Sequence, residues 1–389
     1  MKGPTTLFCL LGLLSALAKA QTGSIALPWS GHGHDAQHTA VSKVTSKTLA
    51  QIRWQTPVDL APQYVGTTLY AHYGSPVITR QNTVIVPVKT GASGGFRVEG
   101  RDGVTGALKW TQATAYTLPP HNWVPHYCLA LTPKNRVCFA DVGGTISYRD
   151  TPDAASGTSG KLVFYGQSNY DADAANFDSK VKINTPLTTD RYGNLYFGFI
   201  VTGSTTPALQ SGIARIGEDG TGSWVSASSA AQDGTVTRLP TNLAPALSND
   251  HKTLYVAARS DDGFGYLLAL DALTLATTGK VRLKDGLNPL NDARLLDDGT
   301  ASPMVGPDGD VYFGVFEHSW GTNHYRGWLC HYNKTLTQTK APGAFGWDHT
   351  PSIVPAKLVP SYQGSSKYLL LSKYNNYAGA GGDGVNKLA

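Results

Sequence analysis

One pattern returns six times along this chain: a small residue and usually a proline, a short apolar run, a polar turn, then a second apolar run. It reads "GSPVITRQNTVIVPV" from Gly74, "NTPLTTDRYGNLYFGF" from Asn184, "LAPALSNDHKTLYVAA" from Leu243, "ASPMVGPDGDVYFGV" from Ala301 and "HTPSIVPAKLVPSYQGSSKYLLL" from His349. A form without the proline, "YCLALTPKNRVCFAD", begins at Tyr127. The openings at 74, 127, 184, 243, 301 and 349 lie 48 to 59 residues apart, a period that belongs to propellers and other repeat arrays. A unit of this kind cannot bury its own apolar face and must stack on its neighbours.

The units continue alike. A third run ends at an acidic or amide turn, and a fourth often carries tryptophan, as in "FRVEGRDGVTGALKW", "IARIGEDGTGSWV", "YLLALDALTLATTGKVRL" and "WLCHYNKTLTQTK". Four short antiparallel strands with turns between them make one propeller blade. The expected fold is therefore all-β, a propeller of six or more four-stranded blades over residues 49–389. With 43 Gly, 22 Pro, 19 Tyr and 15% charged residues, the composition suits many strands and tight turns. A net charge of +5 with both signs scattered, and no basic run interleaved with aromatics, argues against a nucleic-acid partner.

The two ends of the repeat array raise separate expectations. "LAQIRWQTPV", Leu49 to Val58, resembles a fourth strand without its three predecessors, so it is expected to pair with the last blade and close the ring. "VNKLA", Val385 to Ala389, reads as the start of a third strand, which favours a chain cut short of a complete last blade. Residues 1–20 combine a basic start, an apolar run from Leu7 to Ala18 and an Ala18-Lys19-Ala20 ending, the pattern of a cleaved export signal. No later window is apolar enough to span a bilayer, and the expected destination is periplasmic or extracellular, without a membrane anchor. Residues 21–48 then form a leader crossing a face of the propeller.

That leader holds "WSGHGHDAQHTAVS", Trp29 to Ser42, with three histidines and an aspartate. No HExxH or paired CxxC fixes a metal geometry there, so no metal is expected. The reading favours a structural leader in which Asp35 and His38 bind main-chain groups; His32 and His34 are the residues it explains least. Cys128 and Cys138 flank a hairpin turning at Pro133-Lys134. Either a disulfide across it or two buried thiols fits the spacing.

Antiparallel pairing puts the start of each first strand and the end of each second strand on the same rim. Before the first strands come His72, Tyr73, Trp123, His126, Lys182, Asn184, Arg238, Asn242, Asp298, Thr300, Trp347, Asp348 and His349. After the second strands come Lys89, Asp141, Arg259, Glu317, His318, Lys373 and Tyr374. Three stretches stand out: "PPHNWVPHY" from Pro119, "EHSWGTNHYRGW" from Glu317 and "FGWDHTP" from Phe345, where aromatic rings beside imidazoles and carboxylates suit a flat ligand such as a sugar or a quinone. "DADAANFDSK", Asp171 to Lys180, lacks the glycine and distal glutamate of a calcium loop and reads as solvated loop. "YNNYAGAGGDGVNK", Tyr374 to Lys387, follows a strand without opening a helix, and reads as a mobile or ligand-covering loop.

The repeats resemble the PQQ-like β-propeller family in the "LLALDALTLATTGK" turn, the "SP" strand openings, and a leader in which Trp29, Asp35, His38, Thr39 and Ser42 match a W…D…HT…S pattern. The family includes quinoprotein dehydrogenases and the propeller lipoprotein of outer-membrane assembly, so the resemblance implies fold more than function. Three functions follow as expectations. The first is a binding module taking a small molecule, glycan or protein over the rim. The second is a dehydrogenase of alcohols or sugars using PQQ and calcium, with Arg259, Glu317, Asp348 and His349 filling some roles; the adjacent cysteines often found in that family are absent. The third is a carbohydrate lyase or hydrolase with His126 or His349 as base and Tyr73 or Tyr374 as acid.

Overall fold

A computed structural model describes residues 28–44, 48–71, 74–121, 126–297, 299–374 and 376–389. The export signal read in residues 1–20 lies outside the described residues, as do His72, Tyr73, Trp123 and Asp298.

The first five repeats are one antiparallel sheet each, in chain order, the sixth is two two-stranded pairs, and a hairpin of Gln63–Val65 and Thr68–Tyr70 precedes them. Blade one comprises Val77–Ile78, Thr83–Lys89, Gly94–Asp102 and Leu108–Thr117; blade two comprises Ala130–Leu131, Val137–Ala140, Ile146–Arg149 and Ser159–Leu162. In blade three the inner strand is split into Val181–Ile183 and Thr188–Thr189, followed by Leu195–Val201, Gly212–Ile216 and Gly222–Ser226. Blade four repeats the split with Val236–Arg238 and Ala246–Leu247, then Thr253–Ser260, Gly265–Asp271 and Thr277–Arg282. Blade five has Met304–Val305, Val311–Val315 and Trp328–Tyr332, with bridges from Leu329 to Gly343 and Tyr332 to Gln338 in place of a fourth strand. Blade six pairs Ser352–Pro355 with Tyr368–Leu371, and Lys373–Tyr374 with Lys387–Leu388, so the expected third strand does begin at the end of "VNKLA".

Second strands such as "LYFGFIV" are buried at nearly every position because each blade is covered on both faces. Between blades one and two, Phe96 stacks on Tyr127 at 4.2 Å, and the Tyr127 hydroxyl donates to the Ala140 carbonyl at 2.6 Å. The recurring acidic turn has a shared mechanism. Asp102 Oδ1 accepts from the main chain of Val104 and Thr105, Asp271 Oδ1 from Leu273 and Thr274, and Asn333 Oδ1 from Thr335 and Thr337. Each turn then reverses through a residue with positive φ: Gly106, Leu275 or Leu336.

The leader threads the hub. Trp29 exchanges both main-chain hydrogen bonds with Ile78 of blade one, and the Ser30 carbonyl accepts from Leu131 of blade two. The carbonyls of Ala36, Gln37 and Thr39 accept from Leu247, Val305 and Ile353 of blades four, five and six. An added Cβ at Gly31 would lie 3.8 Å from carbonyls of Leu129 and Leu187, which places blade three in the same circuit. Six inner strands thus meet one segment in chain order, and their exposed edges are closed by it.

Several expectations need correction. Leu49 to Val58 carries no strand among the described residues; the Trp54 indole donates to Gly103 of blade one at 3.2 Å, and Leu49 and Ile52 are exposed. A lone strand gains little without a complementary edge beside it, and Trp54 has its partner in the Gly103–Gly106 turn, where an added Cβ on Gly106 would strike the indole. Cys128, Cys138 and Cys330 are all free and buried, and Cys138 lies opposite Ala130, not Cys128, so the hairpin register separates the two thiols. The stretch from Asp171 to Lys180 lies in two short helices, Gln167–Ala172 and Ala174–Lys180, because Phe177 is buried against the core.

Candidate functional site

The rim deduced from strand polarity surrounds a cavity of about 820 Å³ at one end of the hub. The leader contributes His32, Gly33, His38 and Ala40 to its floor, blade one Ser75, and blade two His126. Blades five and six raise one wall: Phe316, Trp320, Tyr325, Trp347 and Tyr377, with Asp348, His349 and Lys373 among them. Phe316 meets Trp347 edge-on at 5.1 Å and Trp320 at 4.6 Å, and the Trp347 indole donates to the Tyr325 carbonyl at 2.8 Å. Phe316 and Trp347 thus support each other, while Trp320 and Tyr325 stay exposed beside them.

The polar groups on this wall are only half used. Lys373 Nζ donates to Asp348 Oδ2 at 2.6 Å, while Asp348 Oδ1 is buried without a partner. His349 Nε2 lies 2.6 Å from the Ser372 hydroxyl, and its Nδ1 is likewise buried without a partner. Burial, reinforced by Lys373, pulls the His349 pKa down to about 4, so the ring is neutral at pH 7. A buried polar group left unmatched costs about 1–3 kcal/mol, and such groups in a cavity mark where a ligand supplies the missing bond.

The floor is similar. Both ring nitrogens of His32 and Nε2 of His38 are buried without partners, while His38 Nδ1 lies 2.7 Å from the Pro303 carbonyl. A carbonyl only accepts, so Nδ1 carries the proton and Nε2 keeps its lone pair. Burial lowers the pKa of both rings, that of His32 well below the ordinary histidine value with His38 and His126 adding to the effect. Asp35 turns away: its oxygens accept from Thr39 at 2.9 and 2.5 Å and from His34 at 3.3 Å. Asp35 and His38 do bind main-chain groups, as the leader reading requires.

The other rim candidates divide sharply. Asn184 and Asn242 are buried positioning residues: the Asn184 carbonyl accepts from the Asn242 main chain, and Asn242 Oδ1 accepts from the His126 main chain at 2.6 Å. Glu317 is fully buried, with Oε1 accepting from Asn323 and Tyr325 and Oε2 from Gly327, so it holds the lengthened blade-five loop. Arg259 donates to Ser260 and Asp261 carbonyls, and His318 packs on Phe264 with Nδ1 at the Asp292 carbonyl; neither lines the cavity. Tyr374 packs on Phe345 beneath Arg326 and is also outside the lining. Lys89 is buried against Ala61 and Asp59, and Asp141 caps the turn at Val142.

Phe316, Tyr325, Tyr377, Ser75 and Cys128 were missing from the rim candidates. Ser75 was legible as the small residue of "SP". Phe316 directly follows the second strand of blade five and was legible by the rule that found Glu317, whereas Tyr325 and Tyr377 lie deeper in loops whose path the repeat does not specify.

PQQ and calcium fit this cavity poorly. The quinone bears three carboxylates and the calcium requires oxygen donors, whereas among the described residues the lining has one carboxylate, no arginine, and one lysine already paired with that carboxylate.

No family model matches this sequence, and no curated protein matches it by sequence. Solved structures do share its architecture. The quinohemoprotein alcohol dehydrogenase of Comamonas testosteroni aligns at TM-score 0.50 and 14% identity, covering 81% of this chain and 49% of that one, so this chain spans about half its length. BamB from Moraxella catarrhalis aligns at TM-score 0.35 and 14% identity over 75% of this chain and 85% of that one, and a luciferin-regenerating enzyme at 0.38 and 15% over 72% and 80%. At such identities the likeness is one of fold. The antiparallel sheets around the hub, with the alignment to the dehydrogenase, give this chain the fold of a β-propeller.

Proposed function

We propose that this protein is an exported binding propeller whose hub cavity takes a neutral, ring-shaped organic molecule with hydroxyl groups, of the sugar class. The observation that carries the reading is the aromatic wall of Phe316, Trp320, Tyr325 and Trp347 set against the unpartnered Asp348 Oδ1 and His349 Nδ1. Rings stack on apolar sugar faces while a carboxylate oxygen accepts a hydroxyl hydrogen. The volume lies within the range of about 300–1,000 Å³ usual for small-molecule sites. Export rests on the pattern of residues 1–20.

The test is a titration of the full-length protein, processed as the host exports it, with mono- and oligosaccharides and, separately, with PQQ and calcium. Tryptophan fluorescence and thermal stability are followed together. A neutral sugar should bind saturably and raise the melting temperature, since a ligand selective for the folded state must do so, and Trp347→Ala should abolish both responses. Binding of PQQ with calcium and of no neutral ring would overturn the reading in favour of a quinoprotein.

A further inference from the structure

His126 and Cys128 are two residues apart in the segment entering blade two. His32 reaches them from the leader. One ligand atom from each of the three lies within 4.8 Å of the other two. An ion bound at about 2.1 Å from nitrogen and 2.3 Å from sulfur needs donors about 3.5 Å apart, so small rotations of three side chains close the set.

We infer that His32, His126 and Cys128 form a binding site for one transition-metal ion of the zinc and copper class, at the floor of the hub cavity. Two imidazoles and a sulfur, with no oxygen donor, select against calcium and magnesium. His32 has both nitrogens buried without partners, and an ion would take up the lone pair of one of them, which an apolar neighbour cannot do. Asn242 Oδ1 holds the His126 main chain, the outer support that metal ligands need. His32 and His126 line the cavity, which leaves the ion's fourth position open to it, beside the free Nε2 of His38. Binding replaces the Cys128 thiol proton by the metal and releases that proton to the buffer, with no change of oxidation state.

This inference does not rest on the sugar reading, because metal content is measured without organic ligand. Full-length protein, processed as exported, is stripped with a chelator and titrated with zinc, copper(I) and cobalt(II), using elemental analysis for stoichiometry and the cobalt spectrum for ligand type. One ion per chain is expected, with a thiolate-to-cobalt charge-transfer band that Cys128→Ser abolishes. His32→Gln should lower occupancy while keeping the circular dichroism of the parent, which guards against a misfolded cysteine variant. Zinc and copper(I) are separated by which survives competition at equal concentration. A folded parent that takes up none of the three ions overturns the inference. So does an unchanged cobalt spectrum in Cys128→Ser, or equal stabilisation by calcium.

Discussion

The two ends of the hub are built from the same six repeats and the same leader, yet they use their polar groups in opposite ways. At the end where first strands turn into second strands, a smaller pocket is lined by Asp35, Asp153 and Asp190. Asp190 accepts from the main chain of Tyr192 and Asn194 and from the side chains of Asn194 and Tyr196; Asp153 accepts from Thr79 and Asn135. Each of these carboxylate oxygens has a partner: those of Asp190 and Asp35 shape their own turns, and those of Asp153 tie its loop to Thr79 of blade one and to Asn135. At the cavity end, Asp348, His349, His32 and His38 each keep a buried nitrogen or oxygen without a partner. The contrast teaches that carboxylates and histidines at a propeller end are informative only after their hydrogen bonds have been counted.

Four variants, one of them read through its pH profile, test the contrast. The largest effect belongs to the turn end: Asp190→Ala strips acceptors from two main-chain N–H groups and should destabilise by about 2–4 kcal/mol in urea unfolding, leaving affinity for the cavity ligand unchanged. Equal loss of affinity would break the division between the ends.

A comparable effect comes from acid at the cavity end. The His349 pKa is about 4 when folded against 6.5 in the reference state, so the unfolded chain takes up the proton first. Its contribution is intact above about pH 6.5, falls by about 2–4 kcal/mol as pH drops to 4, and then levels. His32, His38 and, at the turn end, His251 shift in the same direction through burial. His349→Asn should therefore flatten part of the slope between pH 6.5 and 4, and an unaltered profile would remove His349 from the account. At the turn end, burial pushes the Asp35 carboxyl up, but hydrogen bonds from His34 and Thr39 outweigh it and hold the pKa below 3.8, so its contribution is lost only below that pH.

Smaller still is Asp348→Asn. Its free Oδ1 forms no bond in the folded protein, so stability should move by about 1 kcal/mol or less, while affinity for a hydroxylated ligand drops about tenfold in the fluorescence titration. The smallest is the double variant Lys373→Met with Asp348→Asn, which removes both charges of the pair, leaves no carboxylate unmatched and should change stability by under about 1 kcal/mol. A large loss there would mean that the wall depends on the pair for its shape.

Much of the fold was legible because a blade is a local object. Strand alternation, proline openings and the Asp-x-x-Thr turn act within a few residues of one another, and six copies made the pattern visible. The rim was legible for the same reason: strand polarity alone puts His126, Trp347, Asp348 and His349 at one end. The expected pairing of Leu49 to Val58 failed because an outer strand is defined by the edge it meets, not by its own residues. Glu317 and Arg259 were plausible ligands by residue type, but their loops fold back and use them internally.

The sequence by itself determined the repeat, the strand order within each blade and the end of the hub at which the rim residues gather, since all three follow from short-range chemistry. Only the tertiary structure decided that His32 meets His126 and Cys128 across 94 residues or more of chain. The leader is held to the inner strands chiefly by main-chain hydrogen bonds from Trp29, Ser30, Ala36, Gln37 and Thr39. Such bonds are available to almost any residue, so side chains such as Asp35 and His38 mark the leader while the blade that each of its carbonyls meets is decided only in the fold.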